Sequence, residues 1–86
     1  MNVPKLHIVT LNCFDLRNAE KRRKVFYYLR TLSVDIVCLQ ETNTPAAEAS
    51  HWTSLWAGPA VWSKHVGLLL APQHTLKGSP SFYEDD

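Results

Sequence analysis

Apolar residues recur along this chain with two different periods. Residues 5–13, Lys-Leu-His-Ile-Val-Thr-Leu-Asn-Cys, alternate, with Leu6 and Ile8 on one face and Val9 and Leu11 on the other. A strand apolar on both faces suits a sheet covered on both sides, as in α/β proteins. Residues 18–33 switch to helical spacing, where Val25, Phe26, Leu29 and Leu32 form one stripe. Asn18 suits the N-cap of that helix, and Glu20 suits a first turn whose dipole favours an acid. Residues 35–40, Asp-Ile-Val-Cys-Leu-Gln, predict a second strand with both faces mostly apolar. Strand, helix and strand make a βαβ unit with parallel strands and a right-handed crossover.

The pattern is weaker downstream. Thr44-Pro45 predicts a short helix over 46–55, because proline suits a first helical turn. Gly58-Pro59 breaks the chain. Residues 60–63 and 67–71 predict two short strands joined near Lys64-His65, and residues 72–86 read as a loop or frayed end. The order β-α-β-(α)-β-β is the N-terminal part of an α/β sandwich. It is incomplete, since one strong helix cannot cover both faces of the sheet.

With 86 residues, the chain holds one domain at most. Its 45% apolar and 20% charged residues exclude a disordered or low-complexity chain. The net charge of +1 says little about partners, but Arg17, Lys21, Arg22, Arg23, Lys24 and Arg30 cluster in one stretch. No apolar run approaches the ~18 residues of a membrane span, and residues 1–5 lack the apolar core of a secretory signal. Cys13 and Cys38 sit in apolar stretches, which fits reduced thiols and an intracellular setting, nuclear or cytoplasmic.

Two polar residues stand out by position. Asn12 ends the first strand and Glu41 follows the second. Parallel strands put both on the sheet edge where open α/β sheets bind ligands. A carboxylate and an amide oxygen there could hold Mg²⁺, with Mn²⁺ as a substitute; a solvated strand end with a turn role is the plain alternative. The basic run suits a phosphate backbone only if its charges share a face, and solvation explains it otherwise. Arg17 differs in lying in the loop just after Asn12. The histidines show no ligand spacing, Trp52, Trp56 and Trp62 suit core packing, and no P-loop, nucleophile elbow or Gly-rich dinucleotide motif occurs.

Ile8-Val9-Thr10-Leu11-Asn12, then Leu16-Arg17, the basic helix and Ile36-Val37-Cys38-Leu39-Gln40-Glu41-Thr42 together resemble the N-terminal part of the endonuclease/exonuclease/phosphatase superfamily. Residues 18–26 and Trp62-Ser63-Lys64-His65-Val66-Gly67-Leu68-Leu69-Leu70 look most like its non-LTR retrotransposon branch. The resemblance spans residues 5–71. It implies a four-layer α/β sandwich, Mg²⁺-dependent hydrolysis of phosphodiester bonds, and DNA as the partner. It assigns Glu41 to the metal, Asn12 to the active site beside it, Arg17 to the nucleic-acid backbone, and Gly67 to the opening of the fourth strand.

Two departures qualify what the resemblance implies. The family often has glycine where Asp15 stands, and a small or acidic residue where Phe14 stands. The Asp-x-Asn and Asp-His pairs of the family's second half do not occur in these 86 residues. The chain therefore reads as one part of a domain, expected to be inactive and poorly folded alone. A non-enzymatic remnant, and a relative acting on a small phosphate ester or phospholipid, are the other readings.

Overall fold

The computed structural model describes residues 6–71 and the backbone of residues 83–84. Strand β1 (Ile8–Asn12) pairs in parallel with β2 (Ile36–Gln40), Ile8 opposite Ile36 and Asn12 opposite Gln40. Helix α1 (Ala19–Thr31) connects them, so the βαβ unit forms as the periodicity predicts. Asn18 caps the helix, its Oδ1 accepting the Lys21 N–H at 2.9 Å. A short 3₁₀ turn at Ala46–Glu48 leads into helix α2 (Ala49–Trp56), which stops where Ala57 turns left-handed at φ 64°.

Strands β3 (Ala60–Ser63) and β4 (Val66–Leu70) form an antiparallel hairpin with Lys64-His65 as its turn. The Ser63 hydroxyl closes that turn by accepting the N–H groups of His65 at 3.3 Å and Val66 at 3.0 Å. Strand β4 inserts between β2 and β3, antiparallel to both. A two-residue strand β5 (Tyr83–Glu84) pairs in parallel with β3. The sheet is therefore mixed, in the order β1-β2-β4-β3-β5. Strand β5 corrects the reading of 72–86 as loop throughout; backbone pairing to an edge needs no apolar pattern, so the sequence carried no signal for it. The rest of that tail lies outside the described residues.

One face of the sheet makes the core. Val37, Leu39, Ala60, Trp62 and Leu69 meet Phe26 and Leu29 of α1, and Ala49, Trp52 and Trp56 of α2. Phe26 stands edge-on to Trp56 at 5.9 Å, and Trp52 edge-on to Trp62 at 5.4 Å, the offset that ring quadrupoles favour. Two of the three buried indoles keep polar partners, Trp56 Nε1 donating to the Leu70 carbonyl at 2.8 Å and Trp62 Nε1 to Thr53 Oγ1 at 3.0 Å, whereas Trp52 Nε1 is buried without one. Gly67 sits under the Trp62 ring, where an added Cβ would lie 2.5 Å from a ring carbon.

The opposite face is uncovered by any described element. Ile8, Val66 and Leu68 are 57%, 48% and 43% exposed there, beside half-buried Ile36, Cys38 and Val61. Its positions in β1, β2, β3 and β4 carry no charge. Among the described elements cover lies on one side only, as expected where one strong helix serves two strands that are apolar on both faces. Both helices lie on one side because Trp52 and Trp56 pack with Phe26 and Trp62 in a single cluster. No described helix is long and apolar enough to cross a membrane.

Candidate functional site

Beyond the strand ends, the backbone ladder continues through the loops. Cys13 N–H donates to the Gln40 carbonyl at 2.8 Å, Asp15 N–H to Glu41 at 2.7 Å, and Leu16 N–H to Thr42 at 3.0 Å. On the other side, Thr42 N–H donates to the His65 carbonyl and Thr44 N–H to that of Lys64, both at 3.0 Å. Three loops are thus tied together: the one after β1, the one after β2, and the β3–β4 turn. Buried Thr42 and Thr44 support the middle loop with hydroxyls 2.7 Å apart.

This path needs unusual backbone. Phe14, Asp15, Glu41 and Asn43 have φ of 50°, 82°, 55° and 52°, in the left-handed region. Asn and Asp tolerate it better than most residues, whereas Phe14 and Glu41 gain no such relief. Strain of this kind clusters at ligand-binding sites.

Asn12 and Glu41 reach the same sheet edge, as their strand positions predict, and both are exposed. The Asn12 Oδ1 accepts the Phe14 N–H at 3.0 Å, which fixes the amide at the strand end. Among the described residues no side chain pairs with the Glu41 carboxylate. No group of three or more His, Cys, Asp or Glu side chains that could hold a metal ion occurs among the described residues. His7, His51 and His65 are exposed, and His74 lies outside the described residues.

Arg17 lies in this loop, but its charge is engaged. Its Nε donates to Asp15 Oδ1 at 3.0 Å and its Nη2 to Oδ2 at 2.6 Å. The Arg17 backbone N–H also donates to Asp15 Oδ1, at 2.9 Å. The Arg17 guanidinium, its N–H and the Asn43 side chain hold the Asp15 carboxyl well below the usual carboxylate range. Arg17, Asn43, Thr44, Pro45 and Lys64 line an adjacent concavity of about 370 Å³.

The sequence left the basic run of α1 open between a solvated face and a phosphate-binding one, and Arg22 takes neither place. Only 5% of Arg22 is exposed. Its guanidinium lies 4.6 Å from the Trp52 ring centroid, and its Nη1 donates to the carbonyls of Leu16 at 2.9 Å and Arg17 at 3.2 Å. Burial pushes the Arg22 pKa down, and its Nε is buried without a partner. Arg22 therefore braces the Arg17 loop from beneath. The available signal was spacing, since Arg22 stands four residues before Phe26 on the buried stripe.

Comparison with known proteins gives no match: no family model, no curated protein and no solved structure.

Proposed function

We propose that this chain carries the metal-holding part of a Mg²⁺-dependent phosphodiesterase acting on DNA, built as the N-terminal part of a four-layer α/β sandwich and working in an intracellular, nuclear or cytoplasmic, setting. The observation that supports it is that Asn12 and Glu41 stand at the carboxyl edge of two adjacent parallel strands whose following loops are tied by backbone hydrogen bonds. The donors fit: one exposed carboxylate and one amide oxygen are hard oxygen ligands, and Mg²⁺ takes waters and phosphate oxygens in its remaining positions. A bound Mg²⁺ supplies Lewis acidity toward a phosphate oxygen and stabilises a leaving oxygen. Glu41 supplies the negative charge that holds the cation. Asn12, held by the Phe14 N–H, presents its amide beside it. No described residue is placed to activate water, so the chain alone binds metal and does not hydrolyse.

The uncovered apolar sheet face favours a second reading, a non-enzymatic remnant that retains metal or nucleic-acid binding. Titration of the ¹⁵N-labelled chain with Mn²⁺ tests the metal site directly. Amide signals around residues 12 and 41 are expected to broaden first, recover with excess Mg²⁺, and stay sharp in Glu41→Gln. Broadening that is uniform, or unchanged in Glu41→Gln, refutes the site.

A further inference from the structure

We propose that the concavity lined by Arg17, Asn43, Thr44, Pro45 and Lys64 seats one backbone phosphate of a nucleic acid, and that Asp15 competes with that phosphate for the Arg17 guanidinium. The inference rests on the phosphodiesterase reading above. It adds the residues of the seat and the group that opposes its filling.

The composition of the concavity suits an anion. Two cationic side chains, an amide and a hydroxyl-bearing residue line it, and no lining residue is acidic. Its walls are fixed at the backbone, because the Thr44 N–H is bonded to the Lys64 carbonyl and the 14–17 loop to the 41–42 segment. Arg22 braces the Arg17 carbonyl from the buried side. Guanidinium binds carboxylate and phosphate with the same paired geometry. Asp15 already fills that geometry on Arg17, with both carboxylate oxygens engaged. A phosphate can take the Nε/Nη2 edge of Arg17 only by displacing Asp15. The Arg17 side chain is 62% exposed, so the displacement needs no core rearrangement. A backbone phosphate is favoured over an isolated phosphate ester because the seat is an open hollow on the surface. The Lys21 ammonium, anchored on the Phe14 carbonyl at 2.8 Å, carries positive charge along the same loop.

The test uses the full chain, a fluorescein-labelled duplex DNA of 12 base pairs, EDTA, and salt from 50 to 200 mM, read by anisotropy. Asp15→Asn is expected to tighten binding about three- to tenfold and to steepen the log–log salt slope by about 0.9, the increment for one more phosphate contact. Lys64→Ala is expected to flatten that slope by a similar step. In an Arg17→Ala background, Asp15→Asn is expected to change affinity less than twofold. The control Glu20→Gln removes an acid that is paired with Lys24 on α1, outside the concavity.

Equal tightening by Asp15→Asn with and without Arg17, or by Glu20→Gln, would reduce the effect to net charge and overturn the proposal. So would an unchanged affinity in Asp15→Asn. Inorganic phosphate or dimethyl phosphate displacing the duplex at millimolar concentration would assign the seat to small phosphates instead of a nucleic-acid backbone. Circular dichroism of each variant separates misfolding from lost binding. Because these arms contain no divalent metal, their failure leaves the Mn²⁺ result at Glu41 untouched, and the converse holds.

Discussion

Replacing Gly67 with alanine isolates the most crowded contact in the core. The added Cβ would lie 2.5 and 2.6 Å from two carbons of the Trp62 six-membered ring, inside the distance that real methyl contacts reach. The ring has little room to yield. Phe26 lies at 6.2 Å, Trp52 at 5.4 Å, and the indole N–H is tied to Thr53. Overpacking of this kind costs about 1–3 kcal/mol. For a domain of 60–100 residues each kcal/mol lowers Tm by roughly 4–8 °C. Gly67→Ala should therefore melt roughly 4–24 °C below the parent. The assay is urea and thermal unfolding followed by tryptophan fluorescence, with Trp62→Leu as the second arm of a double-mutant cycle. Trp62→Leu alone should destabilise, since it empties a buried site. In its background, Gly67→Ala should be neutral or stabilising, because the clashing ring is gone and glycine disfavours a strand interior. A Gly67→Ala penalty below about 0.5 kcal/mol refutes the packing argument, as does an equal penalty with and without Trp62.

Further expectations follow from other parts of the molecule. In any longer protein that supplies a water-activating base, Glu41→Gln should nearly abolish hydrolysis while circular dichroism stays unchanged; near-normal turnover in saturating Mg²⁺ would remove Glu41 from the site. Asn18→Ala should destabilise the chain by about 1 kcal/mol through loss of the N-cap, measured by the urea midpoint. Burial pushes the Cys13 thiol up to about 11, so iodoacetamide at pH 8.5 should label half-buried Cys38 well before Cys13, as peptide mass mapping would show. The Asp15 carboxyl is held low in the folded chain, so its pairing with Arg17 should persist as pH falls past the ordinary aspartate value near ~3.9 and be lost only in stronger acid. Carboxyl ¹³C shifts across pH 2–6 would show it, and an ordinary midpoint would disprove it.

The βαβ unit was legible because each of its parts carries a regular apolar period. Residues 18–33 announced α1 through Asn18 and the 25-26-29-32 stripe, and the structure trims it to 19–31. The positions of Asn12 and Glu41 followed from strand direction alone. The hairpin was legible for a similar reason, since Gly58-Pro59 and Lys64-His65 delimit two β-rich runs. Pairing order was not legible: nothing in the residues of β4 says that it lies between β2 and β3. The fate of individual charges was hidden too. Asp15 and Arg17 pair across a loop bent by two consecutive left-handed residues, and Phe14 is not a residue from which that bend is read. Arg22 was hidden by its neighbours, since four consecutive basic residues obscure the one that shares the buried face.

The uncovered sheet face also shapes how the fold responds to temperature. The heat capacity of unfolding arises mainly from apolar surface that water reaches only after the chain opens, at about 0.45 cal/K/mol per Å². Ile8, Val66 and Leu68 are already hydrated in the native state, so much of their surface adds nothing to that increment. The heat-capacity change should fall below the ~12–15 cal/K/mol per residue of ordinary domains. A smaller increment flattens the stability curve. Stability then varies less steeply with temperature on either side of its maximum than in a domain with an ordinary increment.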